Sequence, residues 1–114
     1  MSERNTVILI TSNGMGNGPL DLQLTLVGKY LDLLDLQNDL PSAICFYTDG
    51  VKLVVEGSPV IEKLRMLEEK GVRLIVCSTC LNYFGLTEKV KIGIVGGMGD
   101  ILTAQWQAGK VITL

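Results

Sequence analysis

The chain has 114 residues, of which 47% are hydrophobic and none is histidine, and its formal net charge is −2. This length suits one domain with one core. The sequence has no block of basic residues, so we expect no nucleic-acid binding, and it has no apolar run of roughly 20 residues, so we expect no membrane span. The polar start, residues 1–5, does not resemble a signal peptide, and the lack of histidine excludes His-based catalysis and most zinc sites.

Apolar β-branched runs predict strands, and apolar residues at helical spacing predict the helices between them. Residues 6–11 are the first predicted strand and residues 43–47 the second, which contains Cys45 as a core thiol. A second helix is predicted to begin with Ser58 as N-cap and Pro59 in its first turn, and to end at Gly71. The first helix covers residues 20–37, with a predicted core stripe of Leu20, Leu24, Val27, Leu31 and Leu34.

The second half of the chain repeats this alternation. Residues 72–76 are the third predicted strand, and residues 81–84 leave room for about one helical turn before Gly85 ends it. Residues 90–95 are the fourth strand, residues 100–108 the last helix and residues 111–114 a terminal strand. The pattern predicts an α/β fold with a mostly parallel sheet of about five strands, covered by helices on both faces, in a single domain over residues 1–114.

Cys77 and Cys80 form a Cys-x-x-Cys motif where the third predicted strand gives way to a short helix. Sites in open α/β sheets lie at the carboxyl ends of strands, and N–H groups at a helix start stabilise a thiolate. Three interpretations remain open: a thioredoxin-type redox pair, a nucleophilic thiol that carries sulfur or selenium as a persulfide-type adduct, and two core thiols without a role. Gly85 counts against the first, because thioredoxin's motif begins a long helix.

Glycine-rich loops that follow other strands are expected to meet Cys77 at the same sheet edge, because glycines leave N–H groups open to an anion. The alternatives are a flexible turn for residues 12–19 and a turn-forming role for Asp49. We expect Cys77 to react first and Cys45 to be inert, with no metal and no cofactor. The predicted pocket residues are Asn13, Gly14, Met15, Gly16, Asp49, Gly50, Ser78, Thr79, Gly97 and Met98.

Compartment and assembly are predicted from the cysteine count and from the first helix. An odd number of three cysteines does not suit a secreted disulfide framework, so we expect a reducing cytoplasm. Leu22, Leu26 and Leu33 lie outside the core stripe of the first helix and widen its apolar arc. Such a second apolar side is typical of subunit contacts, and we therefore expect a homo-oligomer.

Residues 76–86 (VCSTCLNYFGL) resemble the Cys-Gly-Thr-Cys-Leu-x-x-x-Gly segment of the DsrE/F-like family, with Ser78 where glycine is usual. Residues 12–18 and 48–53 resemble two other segments of that family. The closest resemblance is to the carboxyl-terminal domain of YedF-type proteins linked to selenium metabolism, and it extends over essentially the whole chain. It implies a three-layer sandwich, oligomerisation and cysteine-based sulfur or selenium handling, with Cys77 matching the acceptor cysteine that precedes a glycine at the position of Gly85.

The expected function is therefore a sulfur or selenium carrier or transferase that forms a persulfide-type adduct on Cys77, with Cys80 as resolving or second thiol. The alternatives are a non-catalytic oligomeric assembly subunit and a thiol–disulfide redox protein, and whether the chain is an enzyme stays open. The resemblance also implies a separate donor or acceptor protein, such as a TusA-like domain.

Overall fold

Strands and helices alternate along the computed structural model, which describes residues 5–114. The predicted polar start therefore lies outside the described residues, except for Asn5. The strands are β1 (Thr6–Ile10), β2 (Ala43–Phe46), β3 (Arg73–Cys77), β4 (Ile94–Gly96) and β5 (Lys110–Thr113). The helices are α1 (Leu20–Asp35), α2 (Ile61–Glu69), α3 (Ser78–Phe84) and α4 (Met98–Gln107), with 3₁₀ helices at Thr48–Val54 and Thr87–Lys89.

The five strands form one parallel sheet in the order β4-β3-β2-β1-β5. Parallel neighbours need crossover connections, which are almost always right-handed, so α1, α2 and α3 lie on one face and α4, which returns across the sheet, lies on the other. In agreement, α1 packs against α2, and α4 packs against β3 and β4. The predicted α/β fold, a three-layer sandwich around a five-stranded sheet, is confirmed.

The core lies on both faces of the three inner strands. All four residues of β2 are buried, as are the last four of β1 and of β3. Strands covered by helices on both faces have apolar side chains throughout, which explains why these segments read as continuous apolar runs. Cys77 at the end of β3 therefore belongs to the core and is only 1% exposed.

The predicted core stripe of α1 is largely confirmed. Val27 and Leu31 are buried, and Leu24 and Leu34 pack partly buried against the core. Leu20 is an exception, with 54% of its surface exposed. It is the first helical residue and follows an exposed stretch, residues 16–19.

The predicted start of α2 is wrong by a few residues. The helix begins at Ile61, and Val60 occupies the capping position. Ser58 Oγ accepts a hydrogen bond from the N–H of Val60 at 3.2 Å, so this side chain stabilises the turn before the helix.

The fourth strand is also shorter than predicted, because residues 90–95 divide between two partners. Val90 forms an antiparallel bridge with Val55, and only Ile94–Gly96 pairs with β3. Gly93, with φ of 92°, turns the chain between these two pairings.

Candidate functional site

Two thiols lie side by side at the carboxyl end of β3. Cys77 is the last residue of the strand, and Cys80 lies in α3, three residues later, a spacing that places side chains on one side of a helical turn. The two thiols lie near enough to influence each other's ionisation, and both are free. Cys77 is 1% exposed, whereas Cys80 is half-buried.

A main-chain N–H group from the neighbouring strand end contacts the Cys80 sulfur. Thr48, which follows β2, donates this hydrogen bond to Cys80 Sγ at 3.0 Å. Thr48 has φ of 54°, in the left-handed region that residues other than glycine rarely adopt. Backbone strain of this kind is commonly found at functional sites.

Gly50 allows the turn after β2, which contains Thr48, to lie close against the end of β1. A Cβ atom at Gly50 would lie 2.0 Å from the carbonyl oxygen of Ile10, so only glycine fits without moving the backbone. The N–H of Tyr47 donates to the same carbonyl at 3.2 Å, and the N–H of Gly50 donates to the carbonyl of Tyr47 at 3.0 Å. The direction of the Thr48 N–H is therefore fixed by the backbone around it.

The pKa values of Cys80 and Cys45 are both raised by their surroundings. Burial raises the pKa of Cys80 above its usual value; the Thr48 N–H opposes that shift, and contact with Cys77 adds to it. Cys45 is fully buried in β2, and burial raises the pKa of its thiol to about 11. The expectation that Cys45 is a core thiol is confirmed.

The order of accessibility differs from the order expected for reactivity. The expectation that Cys77 reacts first rests on its position at a strand end and on the N–H groups of the helix start. However, β3 is an inner strand with both faces covered, so its last side chain is closed off from solvent. Cys80 is the more accessible thiol of the pair.

Four of the predicted pocket residues are placed beside the thiols by the sheet order. Cys77 pairs in register with Gly96 of β4, so Gly97 and Met98 follow on one side of it. The turn after β2 lies on the other side, and brings Asp49 and Gly50 with Thr48. Ser78 and Thr79 are the first residues of α3, half-buried and exposed respectively.

The start of α4 adds polarity to the same edge. Its first helical residue is Met98, and the N-terminal end of a helix carries partial positive charge. The N–H of Gly97 is already engaged, since it donates to Asp100 Oδ2 at 2.9 Å. The start of α4 therefore follows the strand that pairs with the end of β3.

The loop after β1 lies farther from the thiols. Asn13, Gly14, Met15 and Gly16 follow β1, which is two strands from β3, a separation of roughly 10 Å. The loop is tied to α1, because the N–H of Met15 donates to a main-chain carbonyl of that helix at 3.0 Å. The N–H of Gly14 is also engaged within the loop, at 2.8 Å, so these two N–H groups are not directed at a ligand. Asn13 instead lines a cleft of about 310 Å³ together with Lys52, Val55, Glu56, Gly57, Ser58 and Leu86.

Sequence reasoning missed Thr48 and Lys52. Lys52 Nζ lies 2.9 Å from Asp49 Oδ1 and 4.5 Å from the centre of the Phe84 ring, so it joins the 3₁₀ helix Thr48–Val54 to α3. Asp49 therefore has a structural ion pair beside the site. Two sequence features point to Thr48: it follows a predicted strand just before Asp-Gly, and it begins the segment 48–53 that resembles the family.

Within residues 5–114, we find no cluster of three or more His, Cys, Asp or Glu side chains that could hold a metal ion. No helix in that range is both long and apolar enough to cross a membrane.

The fold and the paired thiols together define a small α/β protein with two neighbouring cysteines at the carboxyl edge of a parallel sheet. The chain belongs to the DsrE/DsrF-like family, whose profile matches residues 7–114. This family is associated with sulfur relay. A comparison with curated protein sequences gives no match.

Solved structures with the same fold come from several organisms. MTH1491 of Methanobacterium thermoautotrophicum, a protein of unknown function, is 20% identical with a TM-score of 0.71 over 98% of this chain and 100% of its own. The ychN protein of E. coli is 19% identical with a TM-score of 0.70, covering 96% of this chain and 99% of its own. BT1422 of Bacteroides thetaiotaomicron, also of unknown function, is 18% identical with a TM-score of 0.65, covering 96% and 95%. At these identities the likeness shows the shared fold.

Proposed function

We propose that the chain is a sulfur carrier that holds sulfur as a persulfide-type adduct on Cys77, with Cys80 as the second thiol. The observation that carries this proposal is the contact between two free thiols at the end of β3, one of which accepts the fixed N–H of Thr48. Membership in a family associated with sulfur relay supports it.

The chemistry needs neither histidine nor a metal. A thiolate attacks the terminal sulfur of a donor persulfide, the donor's own sulfur leaves as a thiolate, and the chain keeps a persulfide without net oxidation. Selenium can replace the transferred sulfur in the same displacement, and the resemblance to YedF-type proteins extends the proposal to that element. The same resemblance makes a TusA-like domain the proposed donor or acceptor.

Mass spectrometry after incubation with glutathione persulfide tests the proposal. The peptide that contains both thiols should gain the mass of one sulfur atom, and the gain should be absent when Cys77 and Cys80 are both replaced by alanine. Cys45→Ala is the matched control and should keep the adduct. A Cys77–Cys80 disulfide formed without any sulfur adduct would favour a thiol–disulfide redox protein, and unmodified thiols would contradict both.

We also propose that copies of this chain associate through α1. Leu22, Leu26 and Leu33 on this helix are 50%, 39% and 63% exposed. Burying a large apolar side chain contributes about 1.5–3 kcal/mol before the cost of ordering, so three leucines can hold an interface. Oligomers are common in the DsrE/DsrF-like family, which supports this assembly. An assembly through α1 is also compatible with the alternative function, a non-catalytic assembly subunit.

Sedimentation of two variants tests the assembly. A Leu22→Glu, Leu26→Glu double variant should sediment as a smaller species than the wild type at micromolar concentration. Leu102→Glu is the control, because Leu102 is 51% exposed but lies on α4, across the sheet from α1. A monomeric wild type, or a double variant that keeps the wild-type size, would contradict the proposal.

A further inference from the structure

The two thiols of the site differ in their access to solvent and in their hydrogen bonds. Cys80 is half-buried and accepts the N–H of Thr48 at 3.0 Å, so a donor molecule can reach a sulfur that already has a fixed hydrogen-bond donor. Cys77 is 1% exposed and has Cys80 beside it. An external donor therefore meets Cys80 first, because Cys77 is buried.

We propose that sulfur enters at Cys80 and is then passed to Cys77. Cys80 is thus the thiol that reacts with the donor, and Cys77 is the buried thiol that holds the sulfur. This inference rests on the proposed function, in which the chain carries a persulfide. It assigns the order of the two steps and a separate role to each thiol.

Both steps are displacements at the terminal sulfur of a persulfide. In the first, the Cys80 thiolate attacks the terminal sulfur of a donor R–S–SH, the donor's S–S bond breaks, and R–S⁻ leaves and takes up the proton that Cys80 released. In the second, the Cys77 thiolate attacks the terminal sulfur of Cys80–S–SH, and the Cys80 sulfur leaves with the bonding electrons and takes up the proton from Cys77. One sulfur atom moves at each step, and nothing is oxidised or reduced overall.

The Thr48 N–H favours transfer of sulfur over its loss. If Cys77 attacked the inner sulfur instead, a Cys77–Cys80 disulfide would form and hydrosulfide would leave. During attack at the terminal sulfur, negative charge develops on Cys80 Sγ, the atom that accepts the Thr48 N–H. A donor fixed in place before the reaction stabilises such developing charge, so Thr48 acts through its main chain as a positioning residue.

Timed loading with glutathione persulfide tests the order of the steps, with the adduct located by fragmentation of the alkylated peptide. Cys77→Ala should accept sulfur on Cys80 at the wild-type rate and keep it there. Cys80→Ser should load Cys77 about tenfold more slowly or worse, because the remaining thiol is inaccessible. Cys80→Ala is the second variant in case serine disturbs the fold, and thermal unfolding of each variant checks that it is folded.

The outcomes separate this inference from the proposed function. If both Cys80 variants load Cys77 as fast as the wild type, or if Cys77→Ala gains no adduct on Cys80, the relay is refuted while the carrier function stands. If the wild type itself gains no adduct, both fail.

Removal of the adduct by glutathione provides a second readout. We expect the wild-type adduct, stored on Cys77, to be lost more slowly than the adduct that Cys77→Ala holds on Cys80. Equal rates of loss would refute the protective role of Cys77.

Discussion

Replacing Thr48 with glycine is expected to stabilise the protein, although such a change usually destabilises. At φ of 54°, a side chain on Thr48 costs about 1–2 kcal/mol relative to glycine. Against this, glycine lowers the stability of the folded protein by about 0.4–1 kcal/mol, because it gives the unfolded chain more conformational entropy. Because Thr48 is exposed, little packing is lost, and the net gain is about 0–1.6 kcal/mol, with a central value of about 0.8 kcal/mol.

Urea unfolding at constant pH measures this difference directly. Thr48→Ala is the matched control, since it removes the hydroxyl and methyl groups but keeps the Cβ atom, and its stability should stay within about 0.5 kcal/mol of the wild type. Thr48→Gly keeps its N–H, so loading with glutathione persulfide should proceed at the wild-type rate. A Thr48→Gly variant that is less stable than the wild type would refute the claim that this turn is strained.

Three further changes probe the surroundings of the site. Gly50→Ala should lower the free energy of unfolding by about 1–3 kcal/mol, because its Cβ would collide with the main chain of Ile10. Gly18→Ala is the control, and its free energy of unfolding should stay within about 0.5 kcal/mol of the wild type in the same assay. Asp100→Ala should cost about 1 kcal/mol by removing the acceptor at the start of α4, and Asp100→Asn should restore most of it; equal losses would contradict the capping role. Burial raises the pKa of Cys45 from 9.0 to about 11 in the folded state, so the stability it contributes is complete below pH 9 and lost as the pH rises to 11. Cys45→Ala should remove that part of the pH dependence, and an unchanged slope would contradict it.

The fold could be predicted because its signals are local. The buried strands are continuous apolar runs, and the helices show apolar residues at their own period, so the order of elements follows from the sequence. The fourth strand could not be bounded in this way, because Val90 and Ile94 look alike in sequence but pair with different segments. Only the fold decides which of them joins the sheet.

Part of the candidate site could likewise be predicted from local sequence, and part of it depends on the fold. The proximity of Cys77 and Cys80 follows from a spacing of three residues at a helix start, and could be predicted. The contact of Thr48 with Cys80 could not, because it depends on how closely Gly50 approaches β1. The apolar run of residues 72–76 predicts a buried strand, which is confirmed, but the burial of the Cys77 side chain depends on β3 lying between β2 and β4, and this strand order could not be predicted.

A chain without histidine must control its thiols by other means, and the site shows two of them. Burial governs which thiol a partner can reach, because Cys77 ends an inner strand and is buried, while Cys80 in α3 is half-buried. A main-chain N–H, fixed by the backbone of the turn after β2, governs where negative charge on sulfur is stabilised. Neither means removes a proton as a histidine would, so ionisation of Cys80 must come from the solvent or from the incoming donor. Since burial raises the pKa of Cys80, entry of sulfur should quicken as the pH rises, whereas a histidine-assisted thiol would already be activated at neutral pH. Loading rates of Cys77→Ala that do not change between neutral and alkaline pH would refute this account of the entry step.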